Sequence, residues 1–321
     1  MRFSIIIPTY NRPELLQRTL TGLAQQTVPA CDLEVVVVDD GSAPGPWLPA
    51  GAEPPLPVTR LEQHKEGPTI ARNRGAAASQ GDVLVFIDDD ICIAERTLEL
   101  LAAVCEHERR VVALGTLVIP ASHQLSTYAR VSALGDKAVA NGQASHDVPF
   151  TDCKTGLLAI RRADFESLGG FRDPSGGWPN WDDIDFGYRA HLAGFRFVRS
   201  PQALGEHWDY TLADLATACG RWQRASRSAV RLFETHPGIR PHIPMFYDKS
   251  PVTRRDPPPL KLRKVARRVM AAPGLVRSLE WITRLVEGHY PAPALLQPLY
   301  RWIIGSYIYV GFQEGLKDHR V

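Results

Sequence analysis

A run of five apolar residues, Val83 to Ile87, leads directly into three acidic residues, Asp88, Asp89 and Asp90. The apolar run shows no alternation, which is typical of a strand buried on both faces, as in a parallel sheet. In open α/β sheets the ligand crevice lies outside the carboxyl ends of the strands. Three adjacent carboxylates repel one another, and a divalent cation with oxygen ligands would offset that repulsion. The alternative interpretation is a solvated acidic turn after the strand.

Strand-like and helix-like segments alternate over the first 120 residues, and this alternation predicts a parallel sheet flanked by helices. The β-rich runs that we interpret as strands cover residues 3–7, 34–38, 57–61, 83–87 and 111–119. The segments that we interpret as helices cover residues 13–25, 68–81 and 95–106. Asn11 is the predicted cap of the first helix. The second strand also ends in acids, Asp39 and Asp40.

The second half of the chain changes character, and residues 120–152 give no firm prediction. Beyond them we predict a strand over 156–160, a short helix over 163–168, a helix from 181 to 194 and a strand over 195–198. Gly205 to Trp208 would lie just after that last strand. From residue 210 onward the pattern favours helices. The predicted organisation is therefore one α/β domain over residues 1–208 and a helical region over 209–321.

The composition narrows the classes of protein that this chain can represent. A net charge of +2 over 321 residues gives no case for nucleic-acid binding through bulk electrostatics. The five cysteines are scattered and contain no C-x-x-C pair, which argues against a disulfide framework or a zinc site and suits a reducing cytosol. We see neither a signal-peptide core nor a run of roughly 18 apolar residues that could span a membrane. We therefore expect a cytoplasmic protein that does not bind nucleic acid.

Two strands that end in acids, with a helix between them that carries Arg72 and Arg74, are consistent with a site for a nucleotide diphosphate. Carboxylates can accept hydrogen bonds from a base or a ribose, arginine can pair with phosphate, and a metal can bridge two phosphates. The first strand is followed by Pro8-Thr9-Tyr10-Asn11, so the G-x-G-x-x-G fingerprint of a dinucleotide site is absent there. The G-x-x-x-x-G-K-[ST] pattern of a P-loop is absent too.

Five motifs follow one another in the chain: IIIPTYNR at residues 5–12, VVDDGS at 37–42, ARNRG at 71–75, FIDDD at 86–90 and WDDID at 181–185. In this order they resemble the motifs of family 2 glycosyltransferases of the GT-A fold, and the resemblance covers residues 3–208. It implies a GT-A-like, mostly parallel sheet flanked by helices, with a C-terminal helical extension. It also implies metal-dependent transfer of a sugar, with inversion, from a nucleotide-diphosphate donor to an acceptor hydroxyl or amine.

The resemblance also implies roles for individual positions around the donor. The donor nucleotide is expected at Pro8, Thr9, Tyr10, Asp39, Asp40, Arg72, Asp88 and Asp89. The divalent metal, Mn or Mg, is expected at Asp88, Asp90 and His207, although a lone histidine in this place is equally consistent with a structural role. A UDP-sugar is the favoured donor, while the resemblance names neither the sugar nor the acceptor.

Asp182 and Asp183 stand where the family usually has Glu-Asp, and the resemblance implies that Asp183 is the general base. The aspartate at 182 departs from the family pattern, which leaves the choice between the two acids open. Acids in a first helical turn also favour a helix N-terminus, so a structural role is the alternative. Trp178 and Trp181 lie on the predicted acceptor side, where aromatic rings stack on sugars or simply pack.

Two other functions are consistent with parts of the pattern. A catalytically silent sugar-nucleotide-binding or scaffold protein would share the donor site, but it would not need every carboxylate in its place. A nucleotidyltransferase would also use a metal and a nucleotide, yet it would leave Asp182 and Asp183 unexplained. For a transferase, the expected products belong to cell-envelope polysaccharide, glycolipid or natural-product glycosylation.

The C-terminal region combines basic and aromatic residues. Seven lysines and arginines lie between Arg254 and Arg268, and they are followed by the aromatic residues Trp281, Tyr300, Trp302, Tyr307 and Tyr309. Basic residues near an anionic membrane each contribute about 1 kcal/mol to binding. We therefore predict peripheral contact of residues 254–312 with the inner face of a membrane. The alternative is a solvated charge run beside an ordinary aromatic core.

Overall fold

The computed structural model describes residues 1–44, 47–107, 109–120, 125–133, 144–174, 181–208, 214–289 and 291–318. The chain forms two compact units, one of Met1–His123 with Asp136–Asp209 and one of Gln124–Gly135 with Tyr210–Val321. The main division lies between Asp209 and Tyr210. Part of the segment without a firm prediction belongs to the second unit.

A mixed sheet forms the centre of the first unit. Over the described residues its nine strands are β1 (Phe3–Thr9), β2 (Leu33–Asp39), β3 (Val58–Glu62), β4 (Val83–Ile87), β5 (Ile91–Ile93), β6 (Val111–Val118), β7 (His146–Asp147), β8 (Leu157–Arg161) and β9 (Arg196–His207). Their order is β3-β2-β1-β4-β8-β6-β9-β5, and β7 pairs with β9. β5, β7 and β8 run opposite to all the others, so parallel strands predominate, as predicted.

The helices of the described residues are α1 (Pro13–Ala24), α2 (Pro68–Ala78), α3 (Thr97–His107), α4 (Thr127–Ala133), α5 (Arg162–Ser167), α6 (Asp182–Leu192), α7 (Leu215–Thr235), α8 (Pro258–Met270), α9 (Pro273–His289) and α10 (Pro293–Asp318). α4 and α7 to α10 belong to the second unit, and the others belong to the first. The mixed α/β architecture with a helical C-terminal part is the predicted one.

Strands β1 and β4 are buried along their whole length because helices cover both faces of the sheet. On one face, Val85 and Ile87 of β4 join a cluster that includes residues of α1 and α3. On the other face, the ring of Phe86 packs against the rings of Phe165 and Phe171. This two-sided burial is the physical reason that the strand sequence shows no alternation.

The last strand is longer than predicted. β9 continues to His207, whereas the sequence predicted a strand over residues 195–198 followed by a loop. Its register against β6 shifts in the stretch that holds Pro201, so the proline is tolerated at an irregularity. A side chain at Gly205 would collide with Ile91 of β5, so the glycine permits close pairing there and does not end the strand. β5 itself was not predicted, because three residues are too few for a periodic signal.

In the second unit, α10 packs closely against α7. Gly311 and Gly315 of α10 face the backbone carbonyls of Gln223 and Arg227 in α7, and a Cβ atom at either glycine would collide with them. Helix α4 also packs against α10. Among the described helices, none combines the length and the hydropathy needed to cross a membrane.

Candidate functional site

Parallel pairing brings the ends of β1, β2 and β4 to one edge of the sheet. The register sets Thr9 beside Asp39, and the Oγ1 atom of Thr9 donates to Oδ2 of Asp89 at 2.7 Å. A cleft of about 720 Å³ opens at this edge. Its lining includes every predicted donor residue except Asp39, namely Pro8, Thr9, Tyr10, Asp40, Arg72, Asp88 and Asp89. The predicted metal ligand Asp90 lines the same cleft.

Asp39 lines a second cleft of about 470 Å³, which shares part of its wall with the first and includes Trp47. The backbone N–H of Ser42 donates to Asp39 Oδ1 at 2.9 Å, and Arg60 donates to Oδ2 at 2.9 Å. Burial alone would raise the pKa of Asp39, but the hydrogen bonds from Ser42 and Arg60 hold that pKa below its ordinary value. Asp39 therefore presents an ionised acceptor to this cleft.

Asp40 plays a different part from its neighbour. Its Oδ1 atom accepts hydrogen bonds from Gln63 Nε2 at 2.8 Å and from the backbone N–H groups of Glu66 at 2.8 Å and Gly67 at 3.0 Å. Gly67 has φ of 94° and stands at the cap position of α2. The carboxylate of Asp40 thus fixes the approach of the chain to α2.

Asn11 does not cap α1 as predicted. The cap position is held by Arg12, and Asn11 has φ of 54°, in the left-handed region. The Oδ1 atom of Asn11 accepts from the backbone N–H of Ala43 at 2.8 Å, and its own N–H donates to Ser42 Oγ at 2.9 Å. Asn11 therefore ties the loop after β1 to the loop after β2, because an asparagine tolerates this backbone conformation.

His207 reaches the acidic strand end through the pairing of β5 with β9. In that pairing Ile91 lies opposite His207, and the N–H of Trp208 donates to the carbonyl of Asp90 at 2.7 Å. The Nε2 atom of His207 then lies 3.3 Å from Asp90 Oδ2. Two of the three predicted metal ligands are thus brought together, while the third, Asp88, is paired with an arginine.

The residues present fit a divalent cation that shares its coordination with a bound molecule. Asp90 Oδ1 is buried and has no hydrogen-bond partner in the part of the chain that the structure describes, a costly state that a cation would relieve. Carboxylate oxygens and water suit Mg²⁺ and Mn²⁺. Over those same residues, no group of three or more His, Cys, Asp or Glu side chains could hold a metal ion. The protein would supply Asp90 and His207, and a ligand would supply the rest.

Arg12 stands beside the same acids. Its Nη1 atom lies 3.0 Å from Asp90 Oδ2 and 3.3 Å from Asp89 Oδ1. Burial raises the pKa of Asp89 to about 6, although the hydrogen bond from Thr9 and the charge of Arg12 oppose that rise. Arg12 therefore offsets the repulsion between two buried carboxylates.

Arg72 links the strand-end acids to the acids that open α6. It is buried, and its guanidinium lies 2.6 Å from Asp88 Oδ1 and 3.2 Å from Asp182 Oδ2. Thr69 also donates to Asp182 Oδ2, at 3.1 Å. Burial raises the pKa of Asp182 to about 6, with the charge of Arg72 acting in the opposite direction and that of Asp183 adding to the rise. The ion pairs bring two motifs that are far apart in the sequence to one point.

The side chains of the three acids at the start of α6 point in different directions. Asp182 points to Arg72, and Asp185 forms a buried pair with Arg189 at 2.8 Å. The side chain of Asp183 is 19% exposed, and it forms a long ion pair with the exposed Lys154, whose Nζ atom lies 3.7 Å from Oδ2. Asp183 Oδ1 accepts from the N–H of Ile184 within the helix. Asp183 is therefore the acid of this group that combines solvent access with a weak charge partner.

The two tryptophans predicted on the acceptor side have different outcomes. Trp181 stands at the cap position of α6 and is buried, which favours the packing interpretation over stacking on a sugar. Trp178 lies outside the described residues, so its role stays a prediction.

Three residues of this region were not predicted as site residues. Arg12 could have been found from its position just beyond the end of β1, where the other predicted residues lie. Arg60 lies on β3, and its contact with Asp39 depends on the pairing of β3 with β2, which no local pattern reveals. Lys154 lies between the segment without a firm prediction and the strand predicted over 156–160, and nothing in its surroundings indicated that it would face Asp183.

The chain is similar to several known proteins. A family model described as glycosyl transferase family 2 matches residues 4–166. Validoxylamine A glucosyltransferase of Streptomyces hygroscopicus subsp. jinggangensis is 31% identical over 229 residues, which cover 63% of this chain and 54% of that protein. Poly(ribitol-phosphate) beta-N-acetylglucosaminyltransferase TarS of Staphylococcus aureus is 35% identical over 116 residues, 35% of this chain and 20% of TarS. The chain thus spans about half the length of the first relative.

Two solved structures resemble most of the chain at low identity. The mannosyltransferase PcManGT of Pyrobaculum calidifontis, in complex with GDP-Man and Mn²⁺, has a TM-score of 0.64 at 20% identity and covers 99% of this chain and 87% of its own. GalNAc-T7 with UDP, GalNAc and Mn²⁺ has a TM-score of 0.56 at 19% identity, with 91% and 58% covered. The fold is the GT-A type.

Proposed function

Because the chain belongs to glycosyltransferase family 2, we propose that it transfers a sugar from a nucleotide-diphosphate donor to an acceptor, with inversion at the sugar carbon. The observation that carries the proposal is the position of Arg72. Its ion pairs to Asp88 and Asp182 hold the acids after β4 and the start of α6 against one guanidinium, and Arg72 and Asp88 also line the donor cleft. Asp183 therefore directly follows a residue that is tied to the donor cleft, as a single displacement between a donor and an acceptor requires.

For the donor, we propose a UDP-sugar whose base enters the cleft lined by Asp39. The ionised carboxylate of Asp39 can accept a hydrogen bond from a base N–H, and Trp47 offers an aromatic wall beside it. The phosphates would then lie in the neighbouring cleft, near Arg12. The structural relatives carry both GDP-Man and UDP-GlcNAc, and a carboxylate acceptor suits either base, since uracil and guanine both present a ring N–H. The preference for uracil therefore follows the family resemblance.

For the metal, we propose Mn²⁺ or Mg²⁺ held by Asp90 and His207. A divalent ion here would offset the charge that develops on the leaving diphosphate. The unpartnered Asp90 Oδ1 and the nearby His207 Nε2 support this position. Mn²⁺ in two of the related structures agrees with the choice of ion.

Asp183 is the residue that we assign as general base. As the acceptor oxygen attacks the sugar carbon, Asp183 takes its proton, and the bond to the diphosphate breaks with the electron pair leaving on the phosphate oxygen. The N-terminus of α6 stabilises the ionised form that must accept the proton. Asp182, held by Arg72 and Thr69, positions the start of the helix and does not face the acceptor.

The test is to incubate the protein with a panel of nucleotide sugars and Mn²⁺ and to measure slow donor hydrolysis, since water can replace an unknown acceptor. We expect one donor to be hydrolysed faster than the others, and we expect Asp183→Asn to lose that turnover while still binding the nucleotide. Tight binding of a nucleotide sugar with no turnover for any donor would favour the catalytically silent binding protein.

For the acceptor, we propose a cell-envelope or lipid-linked molecule presented at the inner face of a membrane. Peripheral contact of residues 254–312 with that surface, in a cytoplasmic protein, would hold the protein at the membrane that carries such an acceptor. The supporting observation is the basic and aromatic composition of this segment.

A further inference from the structure

Helix α8 is amphipathic in the reverse of the usual sense. Its buried face carries Lys264, which is 4% exposed, and Arg267. Its outward face carries Leu262, which is 71% exposed, together with Val265 and Val269. These three are spaced three and four residues apart, so they form one stripe along the helix.

The buried charges of α8 are fully paired. Lys264 Nζ lies 2.7 Å from Asp256 and donates to the carbonyl of Pro251 at 2.9 Å. Arg267 lies 3.2 Å from Asp248 and stacks its guanidinium over the ring of Trp302 at 4.5 Å. These contacts fix which face of α8 points inward, so the apolar stripe cannot turn away from solvent without breaking buried ion pairs.

The outward faces of α8 and α9 share one charge pattern. On α8, Arg263 and Arg268 are exposed on either side of the apolar stripe. On α9, Arg277 is exposed beside a second apolar group that includes Trp281, at 63% exposed. Arg284 is exposed too, although it also lines a cleft with Glu280 and Glu287. Among the described residues, the exposed positions of α8 and α9 carry no acidic side chain.

The acids of α9 point away from this outward face. Glu280 accepts a hydrogen bond from Tyr307 at 2.8 Å, and Glu287 accepts one from Tyr300 at 2.6 Å. Both tyrosines belong to α10, against which α8 and α9 pack. The helices therefore keep their negative charge inside and expose apolar and positive groups.

We propose that the outward faces of α8 and α9 are a docking surface for an anionic lipid bilayer. The stripe of Leu262, Val265 and Val269 would enter the boundary between headgroups and acyl chains, while the flanking arginines contact lipid phosphates. Trp281 suits the same boundary, because an indole ring has both an apolar body and a polar N–H group. A protein partner would need acidic groups arranged around an apolar groove of matching size. An anionic bilayer offers negative headgroups and an apolar interior over its whole surface. The inference deepens the proposed membrane contact and does not depend on the transfer reaction.

The experiment is co-sedimentation of the full chain with vesicles of phosphatidylglycerol and phosphatidylcholine, and with phosphatidylcholine alone. We expect binding to the anionic vesicles that weakens as salt is added. Replacing Arg263 and Arg268 by glutamine should weaken it about 25-fold, since each basic residue near such a surface contributes about fivefold. The matched control replaces Arg2 and Arg109, two exposed arginines of the first unit, and should bind like the unchanged protein.

A second variant tests the apolar stripe: Leu262→Gln, Val265→Gln and Val269→Gln together should reduce binding by about tenfold or more. Its control is Leu192→Gln, at an exposed leucine of α6. Unchanged circular dichroism and donor hydrolysis would show that each variant is folded. Equal binding to both kinds of vesicle, binding that survives both variants, or no binding at low salt would overturn the proposal. So would self-association in solution that the stripe variant abolishes while vesicles bind none of the proteins.

Discussion

Two acidic clusters of the first unit look alike in the sequence and differ in the fold. One follows β4 and the other opens α6, and each contains three aspartates within four residues: Asp88, Asp89 and Asp90 in the first, and Asp182, Asp183 and Asp185 in the second. In both clusters, arginines pair with buried members. The clusters differ in the acidic group that the arginines do not hold. In the first cluster it is the buried Oδ1 atom of Asp90, and in the second it is the partly exposed carboxylate of Asp183.

The difference follows from where the arginines come from. Arg12 and Arg72 reach the strand-end cluster from two other elements and leave Oδ1 of Asp90 unpaired. In the helix cluster, Arg189 lies one turn beyond Asp185 and holds it inside, while Asp183 points outward. A confined oxygen suits a cation, and an accessible carboxylate suits proton transfer. Five predictions test this division of roles.

The largest effect is expected from Asp183→Asn. Loss of a general base should lower turnover about 10²–10⁴-fold, with nucleotide binding little changed, because Asp183 does not contact the donor clefts. Steady-state hydrolysis and calorimetric binding of the nucleotide provide the two measurements. Asp182→Asn is the control, and if it abolishes turnover while Asp183→Asn does not, the assignment is off by one residue.

Asp90→Asn should weaken the binding of Mn²⁺ by at least about 100-fold, since even partners outside the metal ligands contribute 10–100-fold. Isothermal titration with Mn²⁺ and nucleotide measures this directly. Asp88→Asn is the matched variant at the other end of the cluster and should break the pair with Arg72 instead. Unchanged Mn²⁺ affinity in Asp90→Asn, or full activity in excess chelator, would remove the cation from this site.

Asp185→Asn should lower the stability of the protein and leave its turnover nearly unchanged. Breaking a buried ion pair by removing one partner costs about 3 kcal/mol, because Arg189 keeps its charge inside the protein. Urea unfolding measures that loss, and turnover per folded molecule should stay near normal. A large loss of turnover with normal stability would show that Asp185 shares the catalytic role with Asp183.

The pKa of Asp182 predicts a pH effect on stability. Its folded pKa of about 6 lies above the unfolded value of 3.8, so the folded protein holds this proton more tightly. The resulting stabilisation is complete below pH 3.8 and is lost as the pH rises through 6. Relative to Asp182→Asn, the unchanged protein should therefore lose about 1–3 kcal/mol of unfolding free energy between pH 4 and pH 7.5. A gap between the two proteins that stays constant with pH would contradict the raised pKa.

Arg12→Gln should give the smallest effect of the five changes, and it should tighten Mn²⁺ binding where Asp90→Asn weakens it. The guanidinium competes with a cation for Asp90 Oδ2, and a hydrogen bond to a charged group contributes about 1.5–3 kcal/mol. Removing it should tighten Mn²⁺ binding about tenfold and lower the stability of the metal-free protein. Thermal unfolding with and without Mn²⁺ measures both the stability of the metal-free protein and the stabilisation by the ion. Weaker Mn²⁺ binding in the variant would show that Arg12 helps to hold the ion and does not compete with it.

Most of the first unit was predictable because its signals are local. The strand over Val83–Ile87 and the helix start at Pro68 follow from residues within one element. The pair of Asp185 and Arg189 also follows from a spacing of four residues in a helix. The sharing of one crevice by the ends of three strands follows from the rule for parallel sheets.

The contacts that cross the sheet were not predictable from the sequence alone. Arg60 meets Asp39, and Lys154 faces Asp183, through the packing of distant elements. His207 was expected after a strand, and it lies inside one because Gly205 serves close pairing there. The inward orientation of Lys264 and Arg267 on α8 was not predictable for the same reason. The sequence shows that α8 is basic, but it does not show which basic residues form ion pairs inside the protein.

Arg12 gives the acidic strand end a counter-charge that belongs to the chain itself. Its guanidinium pairs with Asp89 and Asp90, so these buried carboxylates are partly neutralised before any cation binds. For the cation that we propose at Asp90, entry would then require the rotation of one partly exposed arginine side chain. Exposed side chains change rotamer in picoseconds to nanoseconds, so this rotation would not limit the rate of binding.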